Sequence, residues 1–170
     1  MSSYSTERER KHESKSGGSG NGQSVTLYLR SGAAGPAARR QDAVRERFGT
    51  LQEAGALPEA SVERWAKAVT IPVDGDGADA DAVALYEEFA AAVEAADGRL
   101  EPFFQRRERR GGLLVGRPEG EVLTFPVCCL AVRRGGTLTG LYPCWLAGTH
   151  HSVEDGLDAL RDGGAETLRE

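Results

Sequence analysis

The stretch 25–71 constrains the fold most, because it contains an alternating apolar segment, a helical pattern and a second alternating segment. In the first segment Val25, Leu27 and Leu29 share one face of a strand. A Gly-rich turn then leads to Pro36, which suits the first position of a helix. Two strands joined by a covering helix form a right-handed crossover in which the strands are parallel.

The predicted helix carries one apolar stripe and ends at Gly55, because glycine is typical of helix C-termini. The stripe positions, three or four residues apart, are Ala37, Gln41, Val44, Phe48 and Leu51. In the segment that follows the helix, Trp65, Val69 and Ile71 point to one side. We therefore expect one continuous strand over residues 64–71.

The 170-residue length and the 39% hydrophobic content predict one globular domain. We expect a disordered tail over residues 1–24, a single α/β domain over residues 25–162 and a frayed C-terminus over residues 163–170. The tail lacks the apolar core of a secretory signal, and no apolar run approaches the roughly 20 residues that span a bilayer. These features predict a cytoplasmic protein that does not cross a membrane, with reduced cysteines.

Charge is distributed unevenly along a chain whose net charge is −5. The lysines are Lys11, Lys15 and Lys67, and all other basic residues except histidine are arginines. Abundant alanine and arginine fit a GC-rich genome, and the acidic excess also suits the salt-rich cytoplasm of a halophile. Codon bias alone and salt adaptation remain open as explanations.

The segment that begins at Asp74 alternates aspartate with glycine and alanine, as calcium-binding loops do. Calcium binding also needs a glutamate at the twelfth position, where this chain has Leu85. We therefore predict no calcium site and interpret the aspartates as stabilising the N-terminus of a helix over residues 81–96.

An arginine-rich ribbon over residues 99–117 holds six arginines and two glutamates. We predict a strand over residues 99–110 with a basic far end. The candidate anion-binding or nucleic-acid-binding residues are Arg106, Arg107, Arg109 and Arg110, together with Arg39 and Arg40 near the predicted first helix N-terminus. The alternative is that the ribbon pairs internally with the acidic helix over residues 81–96.

The C-terminal third predicts two strands and a helix. We expect an almost fully apolar central strand over 122–132, a tight turn over 133–136 and an antiparallel return over 137–146. Ser152, with Asp155 three residues later, predicts the start of the last helix. In this register Cys129 lies opposite Tyr142.

Apart from His12 in the predicted tail, the cysteine and histidine side chains lie in the C-terminal half of the domain. Cys129, Cys144, His150 and His151 are the candidate metal ligands, with Cys128 beside them. Zinc sites favour a short Cys-x-x-Cys spacing, which is absent here. We therefore predict no metal and no cofactor, and interpret the cysteines as small buried hydrophobic residues.

The order strand, helix, strand, helix, ribbon, strand, strand, helix resembles the thioredoxin-like fold. The turn over residues 31–36 stands where that family carries its active-site motif, and Thr124-Phe125-Pro126-Val127 is similar to its cis-proline turn. The resemblance implies a βαβ-α-ββα domain with an inserted ribbon and a peptide-facing edge at Phe125 and Pro126. A ferredoxin-like sandwich is the alternative fold.

The resemblance departs from the family at the redox site, because no cysteine precedes Cys128. It therefore implies a non-enzymatic, redox-inactive binding or regulatory module with an unknown protein or peptide partner. Residues 25–40 and 126–144 also resemble small haloarchaeal proteins of unassigned function that are sometimes labelled helix-turn-helix domain proteins. The alternative function is a nucleic-acid-binding transcriptional regulator that uses the ribbon.

Overall fold

The computed structural model describes residues 22–72, 77, 79–109 and 120–168, and this part of the chain contains three helices and ten strands. The helices are α1 (Pro36–Glu53), α2 (Ala80–Ala95) and α3 (Val153–Asp162). The strands are β1 (Gln23–Arg30), β2 (Glu59–Trp65), β3 (Ala68–Pro72), β4 (Gly98–Arg99), β5 (Gln105–Arg109), β6 (Gly120–Thr124), β7 (Cys128–Arg134), β8 (Thr137–Tyr142), β9 (Cys144–Leu146) and β10 (Thr149–His151). The predicted mixed α/β class is confirmed.

Four strands form the main sheet, in the order β2-β1-β7-β8. β1 is parallel to β2, whereas β7 runs antiparallel to both β1 and β8. α1 connects β1 to β2, so the predicted parallel crossover is confirmed. Four of the predicted stripe positions are buried, namely Gln41, Val44, Phe48 and Leu51. Gly55 follows the helix with a left-handed φ of 74°.

Each face of the main sheet packs into its own core. On the first face, α1 and α3 cover Val25, Leu27 and Leu29, which are at most 1% exposed. On the second face, α2 contributes the buried side chains Phe89 and Val93. The molecule therefore has three layers, with α1 and α3 on one side of the main sheet and α2 on the other.

Two further sheets complete the second side. The outer sheet has the order β3-β6-β5, with both strand pairs antiparallel. The small sheet has the order β10-β9-β4. Leu123 of β6 is fully buried in the second core, so one face of the outer sheet packs inward.

Four segments that we predicted as continuous strands each divide into two. They are 64–71, 99–110, 122–132 and 137–146. Three breaks contain a proline, at Pro102, Pro126 and Pro143, and proline has no N–H with which to continue a ladder. At the fourth break the Phe125 N–H donates to the carbonyl of Lys67 at 3.0 Å. At each break the chain passes from one sheet to another.

The peptide bond before Pro126, which we predicted to be cis, is trans. The cis bonds in the described residues precede Pro102 and Pro143. Pro126 lies in the link between β6 and β7, which carries the chain from the outer sheet to the main sheet. It is therefore part of a crossing between sheets and not of the cis-proline turn that we expected.

The hairpin between β7 and β8 turns at residues 135–136, as predicted. Its register differs from the prediction, because Leu130 and not Cys129 lies opposite Tyr142. The ladder shifts by one residue between Val132 and Arg133, because β8 holds one extra residue there, Thr139. Tyr142 therefore shares a face of the sheet with Leu130, in the first core, and not with Cys129.

Ser152 caps the N-terminus of α3, as predicted. The Ser152 hydroxyl accepts a hydrogen bond from the Asp155 N–H at 3.1 Å, and the Asp155 carboxylate accepts one from the Ser152 N–H at 2.8 Å. This reciprocal pair satisfies two N–H groups at the start of the helix.

The C-terminal segment 163–168 packs on β8, although we expected residues 163–170 to fray. Ala165 is 1% exposed, and its carbonyl accepts a hydrogen bond from the Tyr142 hydroxyl at 3.0 Å. The Leu168 N–H donates to the Thr139 carbonyl at 2.9 Å. The described part of this segment is therefore part of the folded domain.

Several predictions concern residues outside the described part of the chain. They cover the tail over residues 1–21, most of the loop from Asp74, and residues 110–119 with Arg110.

Candidate functional site

The outer sheet presents one face to the core and the other to solvent. Arg106 on β5 lies opposite the buried Leu123, and Arg107 lies opposite Val122. Successive side chains on a strand point to opposite faces. Arg106 therefore lies on the inner side of the sheet, whereas Arg107 and Arg109 project from the outer side.

Arg106 is exposed, but it is ion-paired within the fold. Its Nε donates to the Glu121 carboxylate on the neighbouring strand at 2.6 Å, and this hydrogen bond raises the pKa of Arg106. The acidic helix α2 uses a different basic partner, because Glu88 pairs with Arg133 of β7 at 3.1 Å. The predicted internal pairing of the ribbon thus occurs at Arg106, but with β6 and not with α2.

Arg107 and Arg109 form no ion pair within the residues that the structure describes. The outward face of the sheet around them is otherwise polar or aliphatic. Its residues, taken from the strand register, are Ala68, Thr70, Pro72, Gln105, Gly120, Val122 and Thr124. This face, which we call the basic face, carries two positive side chains and no aromatic ring among the described residues.

The second candidate anion site, at the N-terminus of α1, is divided. Arg40 forms a two-pronged ion pair with Glu154 of α3, with both N–O distances at 3.1 Å. This hydrogen bonding from Arg40 lowers the pKa of the Glu154 carboxyl. Arg39 is exposed at the same helix end, so the two arginines do not converge on one ligand.

The three cysteines are all buried. Cys128 lies in the first core, whereas Cys129 and Cys144 lie in the second. Burial raises the pKa of Cys128 to about 11 and that of Cys144 to about 12, and it raises the pKa of Cys129 well above its usual value. Because the thiolate is the reactive form, none of these thiols is suited to nucleophilic or redox chemistry near neutral pH.

His150 and His151 both make ring contacts, and His151 also lies opposite Cys144 in the β9–β10 ladder. His150 stacks on Phe103 with ring centroids 4.9 Å apart and lies 5.4 Å from Trp145. His151 contacts Tyr142 edge-on at 6.5 Å. Within the described ranges, no three His, Cys, Asp or Glu side chains come together as metal ligands.

The predicted peptide-facing edge does not have the expected geometry. Phe125 is 1% exposed and stacks on Trp65 with ring centroids 4.8 Å apart. The Pro126 carbonyl accepts a hydrogen bond from the Trp65 indole N–H at 3.1 Å. The Phe125 ring is therefore part of the hydrophobic core, and the Pro126 carbonyl already has a hydrogen-bond partner.

Sequence reasoning missed two features on the α2 side. A cavity of about 610 Å³ lies between the end of α2, β8 and the C-terminal segment, lined mainly by alanines and leucines. Beside it the Arg99 guanidinium lies 5.2 Å from the Trp145 ring centroid. Both depend on contacts between distant segments, and no local pattern in the sequence indicated them.

The fold and these surfaces define a mixed α/β domain of three layers with a basic outer sheet. A family model described as a helix-turn-helix domain matches residues 18–165, and the chain belongs to this family. The searches of curated proteins and of solved structures gave no match. No helix in the described residues is long and apolar enough to span a bilayer.

The arrangement of the helices differs from the two-helix motif that the family description names. Strands β2 and β3 separate α1 from α2, and strands β4 to β10 separate α2 from α3. In the described part of the chain, no two helices are joined by a turn alone. A recognition helix following a short turn is therefore absent from these residues.

Proposed function

We propose that the protein is a non-enzymatic binding module that contacts nucleic acid through the basic face. The observation that carries this proposal is the projection of Arg107 and Arg109 from the solvent side of β5, without an ion pair in the described residues. Arginine pairs readily with phosphate oxygens. The helix-turn-helix description of the family supports the same ligand class.

The ligand that best fits the basic face is the backbone of a duplex. Proteins that bind single strands stack bases on aromatic side chains, and the described part of this face has none. Sheets can instead lie in a groove of a duplex, with phosphate contacts fixing their position. Two arginines alone give weak affinity. The protein would therefore need further contacts to select a particular DNA sequence.

The scaffold supports a role in binding and not in catalysis. The order β2-β1-β7-β8 with β7 alone reversed, and α1 and α3 opposite α2, support a thioredoxin-like arrangement. The turn before α1, where the thioredoxin-like family places its redox cysteines, contains serine, glycine and alanine. Buried thiols with raised pKa values support the absence of disulfide chemistry.

The proposal is tested by fluorescence anisotropy with a labelled DNA duplex and with one of its strands alone, at low salt. We expect the duplex to bind more tightly, and Arg107→Ala/Arg109→Ala to weaken that binding by about tenfold, or about 1.4 kcal/mol. The matched control is Arg45→Ala/Arg64→Ala, which removes the same charge from exposed positions on α1 and β2. Equal loss in both variants, or no binding by wild type, would overturn the proposal.

A further inference from the structure

β2 is an edge strand whose outer backbone groups are unpaired in the described residues. It lies at the end of the main sheet and pairs with β1. The Trp65 carbonyl accepts a hydrogen bond from the Ser31 N–H at 2.8 Å, so the backbone of Trp65 faces β1. Because backbone groups alternate in direction along a strand, those of Ala60, Val62 and Arg64 face away from the sheet.

The middle of this edge is apolar. Val62 lies opposite Leu27 on β1, and it therefore shares the face of the main sheet that α1 covers. Val62 is 45% exposed, and it is the one exposed large hydrophobic residue in the described part of the chain. A neighbouring strand would cover both the Val62 side chain and its outward backbone groups.

The other side of β2 is acidic. Glu59 and Glu63 lie on the face opposite Val62, and both are exposed. Neither forms an ion pair within the described ranges. Between them the Ser61 hydroxyl is 3.2 Å from the Thr26 hydroxyl, which fixes this part of the strand on β1.

A second copy of the chain is a poor occupant of this edge. Antiparallel pairing of two β2 strands centred on Val62 would place Glu63 diagonally across from Glu59 and Glu63 of the partner. A shift by two residues would place glutamates directly opposite each other, and like charges across strands are destabilising. The acidic edge instead complements a strand with basic side chains.

We propose that the β2 edge binds an extended peptide segment that carries Lys or Arg at two positions four residues apart. The segment would add as an antiparallel strand, with its main chain bonded to Ala60, Val62 and Arg64. The residues opposite Glu63 and Glu59 are then four apart on one face, and the residue opposite Val62 is apolar. This surface lies on the main sheet, whereas the basic face lies on the outer sheet, so the two proposals stand or fall separately.

The test uses the full chain and synthetic peptides of about nine residues, within the usual length of a strand. One peptide has lysine at both positions facing Glu63 and Glu59, with a valine after the first lysine. A second peptide has glutamate in place of both lysines. Binding is followed by backbone amide chemical shifts, and we expect the lysine peptide alone to shift the amides of β2.

Two variants locate the site. Glu59→Gln/Glu63→Gln should weaken binding of the lysine peptide by about tenfold, whereas Glu46→Gln/Glu53→Gln, a matched change at exposed positions on α1, should leave it unchanged. Val62→Pro removes an outward N–H without removing a bond to β1, and should abolish binding. Equal binding of both peptides, shifts confined to residues outside β2, or no binding at millimolar peptide would overturn the proposal.

Discussion

The indole N–H of Trp65 donates to the carbonyl of Pro126 at 3.1 Å, and this bond joins two places where the chain changes sheets. Trp65 ends β2 in the main sheet just before β3 begins in the outer sheet. Pro126 lies in the reverse crossing, from β6 to β7. A second bond, from the Phe125 N–H to Lys67, holds the same two links together.

Replacing Trp65 by phenylalanine should destabilise the domain. The change leaves the partly buried Pro126 carbonyl unpaired and reduces the stack with Tyr28 at 4.8 Å, so we expect a loss of about 1–3 kcal/mol in unfolding free energy. Chemical denaturation measures this value. The matched control is Trp145→Phe, because the Trp145 indole N–H has no hydrogen-bond partner among the described residues; equal losses in the two variants would contradict the account.

The packing of the C-terminal segment gives a second prediction. A Cβ added at Gly140 would lie 2.2 Å from the Ala165 carbonyl oxygen, so Gly140→Ala should displace the segment and cost about 1–3 kcal/mol. Gly164→Ala, in open space on the same segment, is the control and should change little. Amide exchange at Leu168, whose N–H bonds to β8, reports the displacement; unchanged protection in Gly140→Ala would contradict it.

The cysteines should be inert in the folded protein. With the pKa of Cys128 raised to about 11 and that of Cys144 to about 12, little thiolate exists at pH 8, and burial also blocks access. We expect slow labelling by iodoacetamide in the folded state, fast labelling of all three cysteines after unfolding, and no reduction of insulin. Rapid labelling of any one cysteine in the folded protein would contradict this prediction.

The ion pair between Arg40 and Glu154 should make stability depend weakly on pH. Because the pKa of Glu154 is lowered in the folded state, its contribution is complete above the unfolded pKa of about 4.3 and is lost as pH falls through the folded pKa. Both side chains are about two-fifths exposed, so we expect at most about 1 kcal/mol.

The measurement is the unfolding free energy of wild type and Glu154→Gln between pH 7 and pH 3. The difference between the two proteins should be present at pH 7 and shrink in acid. Glu46→Gln, which removes one carboxylate from an exposed position on α1, is the matched control. A difference that grows in acid would reverse the sign of the assigned interaction.

The parts of the fold that the sequence predicted are those specified by short-range patterns. Alternation at Val25, Leu27 and Leu29, followed by the helical stripe that ends at Gly55, gave the crossover because each signal lies within one element. The cap at Ser152 was predictable for the same reason.

The division of the segment 64–71 was not predictable, because its alternation continues through the break. Trp65 and Val69 both lie in the second core, yet they belong to different sheets. Whether an apolar run stays in one sheet depends on which distant strand pairs with it, and only Pro126 and similar prolines mark a break locally. Strand pairing of this kind is a long-range property.

The candidate site was predicted in part. The sequence indicated a basic ribbon, but which arginine is ion-paired within the outer sheet depends on the register between β5 and β6. That register directs Arg106 towards Glu121 and leaves Arg107 and Arg109 outward. Arg40 pairs with Glu154 of α3, which lies more than a hundred residues further along the chain. Composition and spacing do not reveal this contact.

The salt dependence of duplex binding tests the central proposal most directly. Each phosphate contact releases counterions, so the slope of log affinity against log salt counts the contacts, at about 0.9 per phosphate. We predict that Arg107→Ala/Arg109→Ala flattens this slope by roughly two units, whereas Arg45→Ala/Arg64→Ala leaves it unchanged. A wild-type slope that is the same in the Arg107→Ala/Arg109→Ala variant would contradict a phosphate-binding role for the basic face.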